Sequence, residues 1–280
     1  MPCDPLRIQF GDNAALIYCD DQALYRSLHR HFCHCLGDTA PVVVTYQVAT
    51  EEGLPVQLRR DDELLYRGRQ SPYLIEHLMH ELTLALTTPC RQHLVFHAAG
   101  LACGESGLIL CGGSGSGKST LAAWLTASGL DFLTDEVVAV AFDLGEMIGL
   151  ARPIGLKASS AFVWQHWLDA TARQSLTHFS NGTVLLDPEL LRPHCVRASA
   201  YPQIFLFPRY AASEPFVARR LSLAETLFRL MQRLINAKNL PGHGFAAATR
   251  LARQTTAYSL TYADVVSGAA WIEQICNSLQ

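Results

Sequence analysis

The chain has 280 residues, with 22 Lys+Arg against 25 Asp+Glu and a formal net charge of −3 at pH 7. That balance excludes a nucleic-acid protein held by a broad basic surface, and the length fits one large domain or two small ones. Hydrophobic residues make up 49% and charged residues 17%, which a large core explains more simply than a partner or dimer interface does.

The amino end has no basic region followed by an apolar stretch, and no apolar run approaches the ~18–20 residues of a membrane span. A cytoplasmic location is expected, and the nine scattered cysteines fit reduced thiols there. Leu6 to Phe10 and Ala14 to Cys19 alternate in character and predict a hairpin across Gly11-Asp12-Asn13. Asp20-Asp21 predicts the cap of a helix running to about Cys35. Within it, Cys33-His34-Cys35 lacks the spacing and the second pair of a zinc site. The β-branched run Val42 to Tyr46 predicts a strand, with weaker ones near Val56–Arg60 and Leu64–Arg67. Ser71-Pro72 opens a predicted helix to about Leu86, with Leu74, Ile75, Leu78, Leu82 and Leu86 at helical spacing. These elements make a small α+β domain over residues 1–90, followed by a second domain over 91–280.

Leu94–Leu101 and Gly107–Cys111 are predicted apolar strands. The second runs into a glycine-rich loop and then a predicted helix, Lys118 to about Ser128. Val137–Phe142 is a further apolar stretch. This is the strand–loop–helix order of an α/β mononucleotide-binding core. Ser159–Thr177 is predicted helical and Ile204–Phe207 a strand. Ser222–Asn236 is predicted to be an amphipathic helix with a Ser222/Glu225 capping box. Asn239–Gly244 is a loop, and the segments Phe245–Gln254 and Tyr262–Ser278 finish the chain.

Residues Gly112, Gly113, Ser114, Gly115, Ser116, Gly117, Lys118, Ser119 and Thr120 match the phosphate-loop pattern Gly-x4-Gly-Lys-[Ser/Thr]. Glycines let backbone N–H groups approach phosphate oxygens, and the following helix points its positive end at the same place. Lys118 is the point charge for the β and γ phosphates, and the Ser119 hydroxyl is a Mg²⁺ ligand. ATP and Mg²⁺ are therefore the expected cofactors. A guanine-selecting Asn-Lys-x-Asp motif and a Leu-Ser-Gly-Gly-Gln transporter motif are both absent. Sixteen residues after Ser119 come Asp135 and Glu136. Adjacent acids near such a loop divide two tasks, holding Mg²⁺ and accepting a proton from an attacking hydroxyl.

The ordered set His97-Ala98-Ala99-Gly100, Gly107 to Thr120 and Ser128 to Glu136 resembles the catalytic core of HPr kinase/phosphorylase. Arg152 to Lys157 and Phe207 to Tyr210 are similar to segments of related kinases without the phosphorylase segment. The resemblance covers roughly residues 90–265 and not the first ninety. It implies that Asp135 activates the acceptor hydroxyl and that Glu136, where the family has a second aspartate, assists at the metal. It implies that His97 contacts the catalytic acid and that Lys157 and Arg209 supply positive charge to the transferring phosphoryl group. It implies no phosphorolysis, and the family's hexameric assembly implies self-association.

The leading expectation is an ATP- and Mg²⁺-dependent kinase acting on a Ser or Thr of a small protein or precursor peptide, recruited by the amino-terminal domain. Phosphorylation of a small metabolite or lipid-linked hydroxyl is a second reading. An ATP-binding regulatory or assembly factor without phosphotransfer is a third.

Overall fold

A computed structural model describes residues 4–50, 55–69, 72–143 and 145–278. The chain divides into two units, Met1–Cys90 and Arg91–Gln280. In the first, β1 (Leu6–Phe10) and β2 (Asn13–Cys19) form an antiparallel hairpin. Leu6, Ile8 and Phe10 are buried and the residues between them less so, as alternation in a half-buried strand requires. The Asp21 carboxylate then accepts from the Leu24 N–H at 2.6 Å and starts α1 (Gln22–Phe32). The helix stops short of the expected Cys35, because residues 33–35 tighten into a 3-10 turn. β3 (Val42–Ala49) returns parallel to β2, and β4 (Val56–Arg60) and β5 (Glu63–Gly68) continue antiparallel. α2 (Pro72–Thr87) buries the five apolar positions that predict it; Ser71 lies outside the described residues.

The second unit runs β6 (His93–Cys103), β7 (Ser106–Cys111), α3 (Lys118–Ser128), β8 (Asp131–Thr134), β9 (Val137–Ala141), β10 (Met147–Gly149) and β11 (Ile154–Leu156). It continues with α4 (Ala161–Trp167), α5 (Ala170–Arg173), β12 (Thr177–His178), β13 (Val184–Leu186), β14 (Ser199–Tyr210) and β15 (Val217–Arg220). The last elements are α6 (Leu223–Met231), α7 (Phe245–Gln254), β16 (Thr256–Tyr262) and α8 (Val265–Asn277). Its main sheet is ordered β10-β9-β6-β7-β14-β16-β15, with β8 also paired to β6. β7, β14 and β16 are parallel neighbours, so their carboxyl ends lie side by side, the edge at which open α/β sheets place ligands. β10 pairs with the start of β14 as well as with β9, which closes a ring of five strands and leaves β15 as an outer strand beyond β16. β11, β13 and β12 form a small separate sheet. Among the described residues no helix is long and apolar enough to cross a membrane.

Two further expected helices are shorter than their sequence patterns. Over 159–177 the helix breaks at Leu168, which is extended, and Asp169 recaps a new turn by accepting from the Ala172 N–H. A capping residue inside a helical pattern competes with the helix for the same backbone. α6 keeps its capping box but ends at Met231, not Asn236. Residues beyond it peel away to complete the edge of β6. The Ile235 N–H donates to Val95 O, and the His97 N–H donates to Arg233 O. The Asn236 side chain accepts from the Val95 N–H (3.1 Å) and donates to His93 O (2.9 Å). Strand β6 needs partners along both edges, and that demand outweighs helix continuation. Above this seam sits the main core, where Phe96 packs edge-on against Phe205 at 5.9 Å.

Replacing Asn236, which is buried, with Ala strands two β6 backbone groups. Asn236→Ala is expected to lower the unfolding free energy by about 2–4 kcal/mol, measured by urea denaturation. A loss within about 0.5 kcal/mol would show that the side chain is not needed to hold the seam.

Candidate functional site

The glycine-rich loop leaves the carboxyl end of β7 and enters α3 at Lys118. Gly117 has φ +91°, and a Cβ there would lie 1.8 Å from the Tyr262 hydroxyl, so only glycine fits. The neighbouring strand ends brace the turn. The Tyr210 N–H donates to Ser116 O at 3.2 Å, and the Tyr262 hydroxyl reaches the same oxygen at 3.4 Å. Within the loop the Ser116 N–H donates to Gly113 O. Lys118 is buried, with its ammonium donating to Gly112 O (2.7 Å) and Gly113 O (3.4 Å). Burial lowers its pKa against the opposing pull of Asp135 and Glu136.

Asp135 and Glu136 sit in the turn between β8 and β9. Thr134 shapes that turn, its hydroxyl accepting from the Glu136 and Val137 N–H groups and donating to Leu150 O. Asp135 is 8% exposed. Its Oδ2 accepts from the Gly155 N–H at 3.2 Å, while Oδ1 is buried without a hydrogen-bond partner. Burial pushes its pKa up to about 7, with Glu136 adding to the rise and the Ser119 hydroxyl and Gly155 N–H working against it. The loop's Ser119 and the acid Asp135 therefore meet.

Glu136 is engaged differently. His97 Nδ1 lies 3.2 Å from its Oε1, and Arg152 Nη2 lies 3.7 Å from its Oε2. Burial tends to raise its pKa, but the bond to His97 and the charges of Arg152 and Lys118 outweigh burial and hold it below the usual value. The expected contact between His97 and the catalytic acid Asp135 is thus replaced by one to Glu136. The β6–β9 register pairs His97 with Val137, and the Ala98 N–H donates to Glu136 O, which brings His97 beside Glu136. The Glu136 oxygens thus face the His97 ring and the Arg152 guanidinium.

The segment from Gly155 to Ser160 touches the site three times. Gly155 reaches Asp135, the Lys157 ammonium donates to the Ser114 hydroxyl (3.1 Å), and the Ser160 and Thr120 hydroxyls bond at 2.7 Å. Lys157 therefore reaches the loop tip. Arg209 does not reach the acids. It is exposed and clamped by Glu214, Nη1 to Oε1 at 2.6 Å with Nη2 on Oε2, which makes it a surface ion pair. Sequence reasoning missed Arg152, Tyr262 and Arg233. They come from segments remote from the motif. Arg233 is further masked by its place inside the predicted α6 pattern.

Ser119 and the orphaned, buried Oδ1 of Asp135 are hard oxygen donors of the kind Mg²⁺ takes, so the residues present fit that ion.

No family model matches this chain, and no curated protein matches it. Among solved structures, the Hpr(Ser) kinase/phosphatase from Coxiella burnetii superposes with a TM-score of 0.34 at 11% identity, covering 66% of this chain and 94% of that one. A likeness at that level carries no weight for the chemistry, and the functional reading stands on the loop and its acids.

The Asp135 shift has a consequence for stability. Its folded pKa lies above its ordinary value of 3.8, so the folded state binds more protons and stability falls as pH rises between 3.8 and about 7. Asp135→Asn removes that penalty. The variant is expected to be more stable than the wild type at pH 8, by up to about 4 kcal/mol. The gap should close below about pH 4. Thermal melts across this range check it, and superimposable curves at pH 8 would contradict the burial of a charge.

Proposed function

We propose that this protein is an ATP- and Mg²⁺-dependent phosphotransferase that moves the γ-phosphoryl group onto a hydroxyl, most simply a Ser or Thr of a small protein or peptide. The observation that carries this reading is the buried Asp135 carboxyl, poised near neutral pH, against Ser119 in the first turn of the glycine-rich loop's helix. A carboxylate with a pKa near 7 is matched to general-base work at physiological pH.

In this reading the loop N–H groups and the α3 amino end bind the phosphates. The Lys118 ammonium, now on the Gly112 and Gly113 carbonyls, turns to the β and γ oxygens. Ser119 would hold Mg²⁺ here, with Asp135 beside it, and the ion would supply charge neutralisation at those phosphates. Asp135 accepts the acceptor's hydroxyl proton as its oxygen bonds to the γ phosphorus and ADP departs. Glu136, kept ionised by its bond to His97 and by Arg152, places a negative charge beside Asp135, which favours its protonated product form. The Lys157–Ser114 contact gives the loop tip a cation free to follow the phosphate. The first unit supports recruitment of an extended acceptor, since β5 is an outer strand of its sheet and exposes Leu64.

Incubation with γ-labelled ATP, Mg²⁺ and an extract of the source cell tests this. Wild type is expected to label a discrete species. Asp135→Asn should lose at least about 100-fold of that transfer while ATP affinity without Mg²⁺ stays within about threefold. Lys118→Ala should weaken ATP binding itself by at least about tenfold. Full transfer by Asp135→Asn would remove the base assignment, and unchanged ATP affinity in Lys118→Ala would remove the phosphate-loop reading.

A further inference from the structure

Arg233 is a half-buried cation carried on the segment that leaves α6 and docks along β6. Its backbone is fixed at both ends: its N–H donates to Leu230 O, and its carbonyl accepts from the His97 N–H at 3.0 Å. Its guanidinium faces the loop. A Cβ on Gly113 would lie 3.7 Å from Nη2 and 4.0 Å from Nη1, so both terminal nitrogens of the fork are turned toward that glycine. Gly113 is one of the two residues whose carbonyls hold the Lys118 ammonium. Among the described residues no carboxylate pairs with Arg233, in contrast to Arg209 and Arg219, which each close on a glutamate. Arg152 leans on Glu136.

Two cations that converge on one glycine-rich turn repel each other. A fold keeps such an arrangement where an anion completes it. A planar fork matches phosphate oxygens with two parallel hydrogen bonds, which a lysine cannot do.

We propose that Arg233 is a phosphate-binding residue of this site, its guanidinium donating to the terminal phosphate of the bound nucleoside triphosphate from the face of the loop at Gly113. This rests on the phosphotransferase reading and extends it. The triphosphate, not the diphosphate, is the species that satisfies both Lys118 and Arg233. The same docking that completes the β6 edge through Leu234 and Asn236, one and three residues further on, positions the arginine and ties the site to the core.

Calorimetric titration of ATP and ADP into the full chain, beside transfer assays with γ-labelled ATP, tests this with Arg233→Met and Arg233→Lys. Arg233→Met is expected to weaken ATP binding by at least about tenfold and ADP binding by less than about threefold, and to slow transfer at least about 100-fold. Arg233→Lys should recover part of the ATP preference. A merely structural arginine would move both nucleotides together, and that result overturns the proposal, as does an unchanged ATP-to-ADP ratio. Should wild type bind ATP and transfer phosphate while Arg233→Met does so equally well, the proposal alone fails. Should wild type bind no ATP, the phosphotransferase reading fails and takes the proposal with it.

Discussion

The carboxyl group of Asp135 is buried at the foot of the glycine-rich loop with one oxygen bonded and the other unanswered. An ionised carboxylate in such a place is costly, and the structure answers by raising its pKa rather than by surrounding it with donors. Much of the second unit serves to hold that acid there. Thr134 fixes the turn that carries it, Gly155 supplies its backbone donor, and the first turn of α3 brings Ser119 against it. Gly149 matters for the same reason. A side chain there would press on the Leu133 carbonyl at 2.3 Å, so β10 can approach the turn closely only with glycine.

The neighbouring acid shows how position divides two chemically similar groups. Glu136 is set among His97, Arg152 and Lys118 and stays charged, whereas Asp135, one residue earlier, is held near neutrality. Environments that push two carboxyls apart in this way separate a proton acceptor from a fixed charge. The unit's other organising seam is the edge of β6, filled by the chain after α6. It sets Arg233 near Gly113 of the loop, as the β6–β9 register sets His97 beside Glu136.

The loop is legible in the sequence because nine consecutive residues carry it, and an apolar strand and a helix frame it. The α/β class and strands such as Leu6–Phe10 and Gly107–Cys111 are legible too, since their burial follows local pattern. β16 is not. Thr256–Tyr262 mixes Thr, Ser and Ala with its apolar residues and predicts no strand, yet it pairs with β14 at the carboxyl edge and delivers Tyr262 to Gly117. The end of α6 is illegible for a different reason. Residues 232–236 continue a helical pattern, and only the open edge of β6, some 140 residues away, claims them. Likewise the residues Asp135 and Glu136 are visible as a pair, but which of them meets His97 is decided by strand register.

The site depends on Asp135 holding its proton to near neutral pH, which ¹³C NMR titration of carboxyl-labelled aspartates reads without acceptor or nucleotide. A resonance present in the wild type and missing in Asp135→Asn is predicted to titrate with a midpoint of about 7. A midpoint near the ordinary aspartate value of 3.8 would contradict the buried, poised acid on which the site is built.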